Sequence, residues 1–193
     1  MKIKMEINEI EKYLKENLSE KRFVHSLNVA KQAEILGEIY GEDKDALFLA
    51  GLVHDSCKEM SEEKQRQLLK KANIKITPEL ETQKKVWHGF CASVFIKETF
   101  GIDDERIIDA VKYHTTGKEN MSLFTKIIYI ADITSEERAY PEVSKMRILA
   151  KEDLDEAVFY SLEFTLKKLI SLRGVLNEDT VRAYNEFALK SLS

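Results

Sequence analysis

Apolar residues recur at helical spacing through most of the chain. Ile7, Ile10 and Leu14 fall three and four apart, which predicts an amphipathic helix over residues 3–18. Ser19 is a capping residue for a second helix that reaches Tyr40 and stops at Gly41. Asp43 caps a third, which ends near His54. Ser61 opens a polar helix, SEEKQRQLLKKA, with Glu63 and Lys64 to Gln67 on its solvated face. NIKITPEL breaks it, with Pro78 as punctuation. Further helices follow over about 86–100, closed by Gly101, and from an Asp103 cap to about Tyr113. Ser122 opens the next, which runs through Ile133. Pro141 lies in a loop, and 153–172 and 177–192 make the last two helices. No segment alternates apolar and polar residues as a strand would. The pattern predicts an all-α fold with one domain over 1–193. Its core spans about 19–150, with the C-terminal helices at 153–192 packed on it.

Composition narrows the class. A chain of 193 residues with 44% hydrophobic content has enough apolar surface for one real core. Seven glycines and two prolines suit long helices with short connections. The net charge of -4 supplies no basic field, so no nucleic-acid partner is expected. Cys57 and Cys91 form no CxxC pair, which argues against a thiolate zinc site or a disulfide framework and for a reducing, cytoplasmic compartment. MKIKMEINEIEKYL has no continuous apolar stretch of the signal-peptide kind. No run approaches the roughly eighteen apolar residues of a membrane span, so no membrane partner is expected.

One stretch resists the simple picture. Residues 46–53, ALFLAGLV, carry no polar side chain, and His54 and Asp55 follow at once. A buried carboxylate or imidazole without a partner is costly. Either the pair reaches the surface or something in the core satisfies it, and a metal ion is one candidate. A histidine at a helix C-terminus is ordinary, because it complements the dipole, but an aspartate there has the wrong charge.

The remaining histidines and one aspartate extend this. At about 100° per residue, His25 falls on the side of its helix shared by Val29 and Leu36, opposite Asn28, Lys31, Glu34 and Glu38. It faces inward, either as an ordinary hydrogen-bonded core histidine or as a ligand. Asp132 lies in KIIYIADIT with apolar residues around it, so it points into protein as half of an ion pair or as a ligand. His25, His54, Asp55 and Asp132 together make a two-imidazole, two-carboxylate set that suits zinc, iron, manganese or cobalt and leaves positions open for catalysis. His88, between Trp87 and Gly89, and His114, in VKYHTTGK, are either ordinary histidines or line the open side of that metal.

The order H…HD…D resembles the HD-domain phosphohydrolase superfamily. RFVHSLNVA, LAGLVHDSCKEM, WHGFCASVFI, AVKYHTTGK and KIIYIADITSEERAYPEV, in this order, resemble the bacterial HD-domain symmetrical bis(5′-nucleosyl)-tetraphosphatases. That resemblance implies a helical HD core and hydrolysis of diadenosine tetraphosphate to two ADP, by in-line attack of a metal-bound hydroxide. It implies His25, His54, Asp55 and Asp132 as ligands of a divalent or trivalent transition metal, in this family iron. A second metal ion is left open. It implies Arg22, Asp55, Ser56, Cys57, Lys58, His88, His114, Asp132, Ile133 and Arg138 at the substrate, with Arg173, Gly174, Val175 and Leu176 closing the base pocket. Cys57 is then a pocket residue and not a nucleophile. Asp55, Lys58, His88 and His114 form the catalytic group. His88 and His114 bind phosphate, protonate the leaving ADP or hold the second metal.

Other readings compete. Alarmone hydrolases of the superfamily carry a Glu-Asp pair where Lys58 and Glu59 stand here, and cyclic-dinucleotide members carry a GYP motif absent here. A nucleoside-monophosphate nucleotidase has the same ligand set, and a non-catalytic nucleotide sensor is the other alternative. The partner expected is a small dinucleoside polyphosphate, and a homodimer is left open.

Overall fold

Side-chain caps set most of the helix boundaries. The computed structural model describes residues 5–192. These form eleven α-helices and one 3-10 turn, with no strand among the described residues. The helix α1 (Ile7–Asn17) buries Ile10 and Leu14, while the predicted start at Ile3 lies outside the described residues. Ser19 accepts from the Arg22 backbone N–H and opens α2 (Glu20–Tyr40), which Gly41 closes in the left-handed conformation at φ +71°. Asp43 caps α3 (Lys44–Val53), and His54 is its last half-helical residue. Ser61 caps α4 (Glu62–Lys71).

Four predicted details differ. Pro78 does not end structure but begins it: Thr77 caps a short helix, α5 (Pro78–Thr82), with Pro78 in its first turn. Proline fits there because a first-turn N–H has no helical partner to lose. Gln65, expected on a solvated face, is buried, and its amide donates to the carbonyls of Cys57 and Met60 at 3.2 and 3.1 Å. It ties down the chain that follows His54 and Asp55. The cap of α7 (Glu105–Tyr113) is Asp104, not Asp103; its carboxylate accepts from the Arg106 N–H at 2.9 Å.

The 3-10 turn Lys84–Val86 leads into α6 (Trp87–Phe100), closed by Gly101 at φ +68°. Ser122 caps α8 (Leu123–Thr134). The next helix, α9 (Val143–Glu152), lies where only a loop was expected after Pro141, and it buries Val143, Met146 and Ala150 at helical spacing. Asp153 caps α10 (Leu154–Ser171) and Asn177 caps α11 (Glu178–Lys190).

The helices α2, α3, α7 and α8 make the centre: α2 packs on α3 and α8, and α7 on α3 and α8. Leu36, Leu47, Leu52, Ile107, Phe124 and Ile127 are buried where they meet. Each such side chain contributes about 1.5–3 kcal/mol. The helix α6 covers α7 and α4, while α10 rests on α8, α9 and α11.

Two glycines allow unusually close helix crossings. A Cβ at Gly51 would lie 2.7 Å from Ala30 Cα and 2.8 Å from its nitrogen, so α3 touches the backbone of α2 there. A Cβ at Gly89 would lie 2.9 Å from the carbonyl oxygen of Lys112 and 3.4 Å from His114 Cε1. One crossing therefore sets α2 against α3, the helices of His25 and His54. The other sets α6 against α7, the helices of His88 and His114.

Candidate metal centre

All four histidines meet. The rings form a row: His25 to His54 at 5.2 Å between centroids, His54 to His114 at 4.8 Å, and His114 to His88 at 4.9 Å. Each is at most 5% exposed, so His88 and His114 are buried beside the other two. His54 directs Nδ1–H to the Gly51 carbonyl at 2.6 Å, and His114 directs its own to Val111 at 2.7 Å, each one turn back in its own helix. His25 Nδ1 donates to Glu137 Oε1. With Nδ1 engaged in all three, each Nε2 faces the shared interior.

The two aspartates complete the row. His25 Nε2 lies 3.1 Å from Asp132 Oδ1 and 3.6 Å from Asp55 Oδ2. His54 Nε2 lies 3.9 and 3.5 Å from the same two oxygens. The other Asp55 oxygen, Oδ1, lies 3.0 Å from His88 Nε2 and 3.5 Å from His114 Nε2. Asp55 thus stands between two histidine pairs with one oxygen toward each.

These residues fit metal ions. His54 Nε2 and Asp55 Oδ1 are buried atoms with no hydrogen-bond partner, and such orphans are expensive unless something coordinates them. His25, His54 and Asp55 offer ligand atoms close enough to hold one ion, and Asp55, His88 and His114 offer a second such group. Burial presses the Asp55 and Asp132 carboxyls upward. The His54, His114 and His88 rings around Asp55 hold it well below the usual carboxylate range, and His25, His54 and Arg138 do the same for Asp132. Burial pushes His88 down to about 4 despite Asp55 beside it. The centre therefore presents ionised carboxylates and a neutral His88, which is the protonation state ligation requires.

Cations surround it. Arg22 Nη1 donates to Asp55 Oδ2 at 2.5 Å. Arg138 donates to the Asp132 carbonyl at 2.9 Å and to its carboxylate. Lys58 Nζ lies 3.1 Å from His88 Nε2, and burial depresses its pKa. Ser56 is buried near by with an unpartnered hydroxyl, and Ile133 is half-buried beside Asp132. Cys57 is fully buried and its thiol is pushed up by burial, so it faces the core and is not an exposed thiol. Residues Arg173, Gly174, Val175 and Leu176 are exposed. The first three line a cavity of about 540 Å³ with Thr115 and Thr116, next to His114.

Glu137 was not singled out from sequence. Besides His25 it accepts from Asn28 Nδ2 and from Ser135 Oγ, both at 2.8 Å. It sits in an irregular segment among Glu136 and Arg138, where no periodicity marks it; the only available signal was its nearness to Asp132. Gln65, Gly51 and Gly89 were also missed. Tight glycine crossings announce themselves in sequence only as small residues inside apolar helices.

The HD domain family model matches residues 22–137. A Halalkalibacterium halodurans protein named bis(5′-nucleosyl)-tetraphosphatase, symmetrical, is 34% identical over 92% of this chain and 94% of its own length. A Bacillus subtilis protein of the same name is 31% identical over 89% and 92%. A crystal structure from Clostridium acetobutylicum, described as a predicted HD superfamily hydrolase involved in NAD metabolism, superposes with a TM-score of 0.93 at 37% identity, covering 96% of this chain and 98% of that one. The matched span contains His25, His54, Asp55, His88, His114 and Asp132, and the chain belongs to the HD domain family, in the group that holds these symmetrical tetraphosphatases.

Proposed function

We propose that this chain is a metal-dependent phosphohydrolase that cleaves diadenosine tetraphosphate symmetrically into two ADP. The observation that carries the reading is Asp55, whose two carboxylate oxygens each face a separate histidine pair, with three cationic side chains around them. The names of the relatives from Halalkalibacterium halodurans and Bacillus subtilis give the substrate class.

A metal held there supplies Lewis-acid charge and makes water acidic enough to act near neutral pH. His25, His54, Asp55 and Asp132 would hold it, and Asp55, His88 and His114 would hold a second ion. This goes beyond the four-ligand set and gives His88 and His114 a ligand role. The mixed imidazole and carboxylate set suits iron, which is the metal we assign. Arg22, Lys58 and Arg138 then serve the phosphates. Phosphoryl transfer depends mostly on positioning and on stabilising charge at the outer oxygens. Arg138 is held by two bonds to Asp132, so its remaining N–H groups are already oriented. Lys58, whose Nζ lies 3.1 Å from His88 Nε2, serves phosphate charge beside that ring. Arg173 to Leu176 close the base pocket. No helix among the described residues is long and apolar enough to cross a membrane, and both cysteines are free, which supports a cytoplasmic setting.

A nucleotide panel with chromatography of the products tests this. Diadenosine tetraphosphate is the preferred substrate and ADP its product. Faster release of adenosine from AMP would replace this reading with a nucleotidase. Elemental analysis should find up to two iron atoms per chain; none in a chain purified without chelator would remove the metal assignment.

A further inference from the structure

One side chain holds the loop that carries two contacts to the centre. Arg147, on α9, donates from Nε to the Thr134 carbonyl at 2.9 Å. Its Nη2 donates to the carbonyls of Ser135 at 2.6 Å, Glu136 at 3.1 Å and Arg138 at 3.1 Å. The chain leaving α8 therefore wraps one guanidinium. The same loop carries Glu137, which accepts from His25, and Arg138, which donates to Asp132.

We infer that Arg147 is a positioning residue for the reaction. Its guanidinium sets the path of residues 134–138, so that Glu137 and Arg138 meet His25 and Asp132. It acts through those two side chains and not on substrate or metal. The inference rests on the phosphohydrolase reading above.

The need for such a clamp follows from the end of α8. A helix ends in carbonyls that have no partner within it. Here each of the last three accepts from a later residue: Asp132 from Arg138 Nε, Ile133 from the Tyr140 hydroxyl at 2.7 Å, and Thr134 from Arg147 Nε. Thr134 and Ser135 are at most 1% exposed, so water has little access to replace a lost donor. The charge of Arg147 also suits the negative end of the α8 dipole. Guanidinium is the right shape, because its N–H groups are fixed in one plane and spread over separate nitrogens. Lysine carries its donors on one nitrogen and cannot span carbonyls from Thr134 to Arg138. The base of the clamp is itself fixed, since α9 buries Val143, Met146 and Ala150.

Two substitutions test this. Arg147→Met keeps the apolar stem and removes every donor, and Arg147→Lys keeps the charge. Metal Kd is read by competition against a calibrated chelator. The constants kcat and KM are read with diadenosine tetraphosphate on the metal-loaded enzyme, below the melting transition of each variant. Arg147→Met should weaken metal binding and lower kcat/KM by about tenfold each, the lower end for residues that orient ligands from behind. Arg147→Lys should recover no more than about threefold of either loss. Loss of folding alone would be independent of Glu137 and Arg138, so double substitutions separate the two roles. In a Glu137→Ala background Arg147→Met should change metal Kd by less than about twofold, and in an Arg138→Met background it should change kcat/KM as little. Wild-type values in Arg147→Met, full recovery by lysine, or additive losses in both backgrounds overturn the inference. If the wild type does not cleave diadenosine tetraphosphate, the proposed reaction fails, and the metal Kd of the same variants still decides the role of Arg147.

Discussion

Glu137 offers a sharp test of how the centre is built, because it touches a candidate ligand from behind. Its Oε1 accepts from His25 Nδ1 and from Ser135 Oγ, and its Oε2 from Asn28. These contacts fix the His25 ring and direct Nε2 toward Asp132 and Asp55. Partners of this outer kind are worth about 10–100-fold in metal affinity or activity, or about 1.4–2.7 kcal/mol. Glu137→Ala should fall near the upper end, since it removes the acceptor. Glu137→Gln keeps an oxygen for Nδ1–H and loses only the charge, so it should fall near the lower end. Glu137 is about one-third exposed, so the fold itself should lose about 1 kcal/mol or less. Competition against a calibrated chelator gives the metal Kd, and thermal unfolding of the metal-free protein gives the stability. A positioning role predicts weakened metal binding, a lowered kcat with KM little changed, and partial rescue by glutamine. Unchanged metal Kd in Glu137→Ala would refute the reasoning, whatever happened to Tm.

Gly51→Ala should destabilise the protein by about 1–3 kcal/mol and weaken metal binding, because a Cβ there meets the Ala30 backbone and pushes α3 from α2; thermal melts with chelator titration check both, and a wild-type Tm would show that the crossing is not tight. Lys58→Ala should lower kcat/KM by about ten- to a hundredfold if Lys58 makes a charge-assisted phosphate contact, and an unchanged value removes it from the site. Burial pushes the Cys91 thiol up to about 12 and raises Cys57 as well. A thiol whose folded pKa is raised stays protonated at pH 8, so neither cysteine of the native protein should react with iodoacetamide there, while both should after unfolding; mass spectrometry reads this directly.

Much of the centre was legible because helical periodicity is a strong constraint. His25 had to face inward with Val29 and Leu36, and it does. An aspartate at Asp132 had nowhere apolar to hide, and it lies against His25 and Arg138. Caps were legible where a single polar residue preceded an apolar run, as at Ser19, Asp43 and Ser122. Where two aspartates stood together, the pattern gave no way to choose Asp104 over Asp103. The division of Asp55 between two histidine pairs was not legible, since it depends on where α6 and α7 bring His88 and His114. Glu137 and Gln65 were hidden for the same reason: a polar side chain in a charged stretch looks solvated until its distant partners are known. The short helix α9 was missed after Pro141, although Val143, Met146 and Ala150 carry its spacing.

The central claim is that this metal centre directs water to a phosphorus in the middle of a tetraphosphate. Hydrolysis of diadenosine tetraphosphate in oxygen-18 water, with the products separated and weighed by mass spectrometry, tests it most directly. The account predicts ADP as the sole product, with one oxygen-18 on the terminal phosphate of one of the two ADP molecules from each substrate and none in the other. It predicts no turnover in His54→Ala or Asp132→Ala, whose helical circular dichroism should remain close to that of the wild type. AMP with ATP, or turnover that survives in both variants, would contradict it.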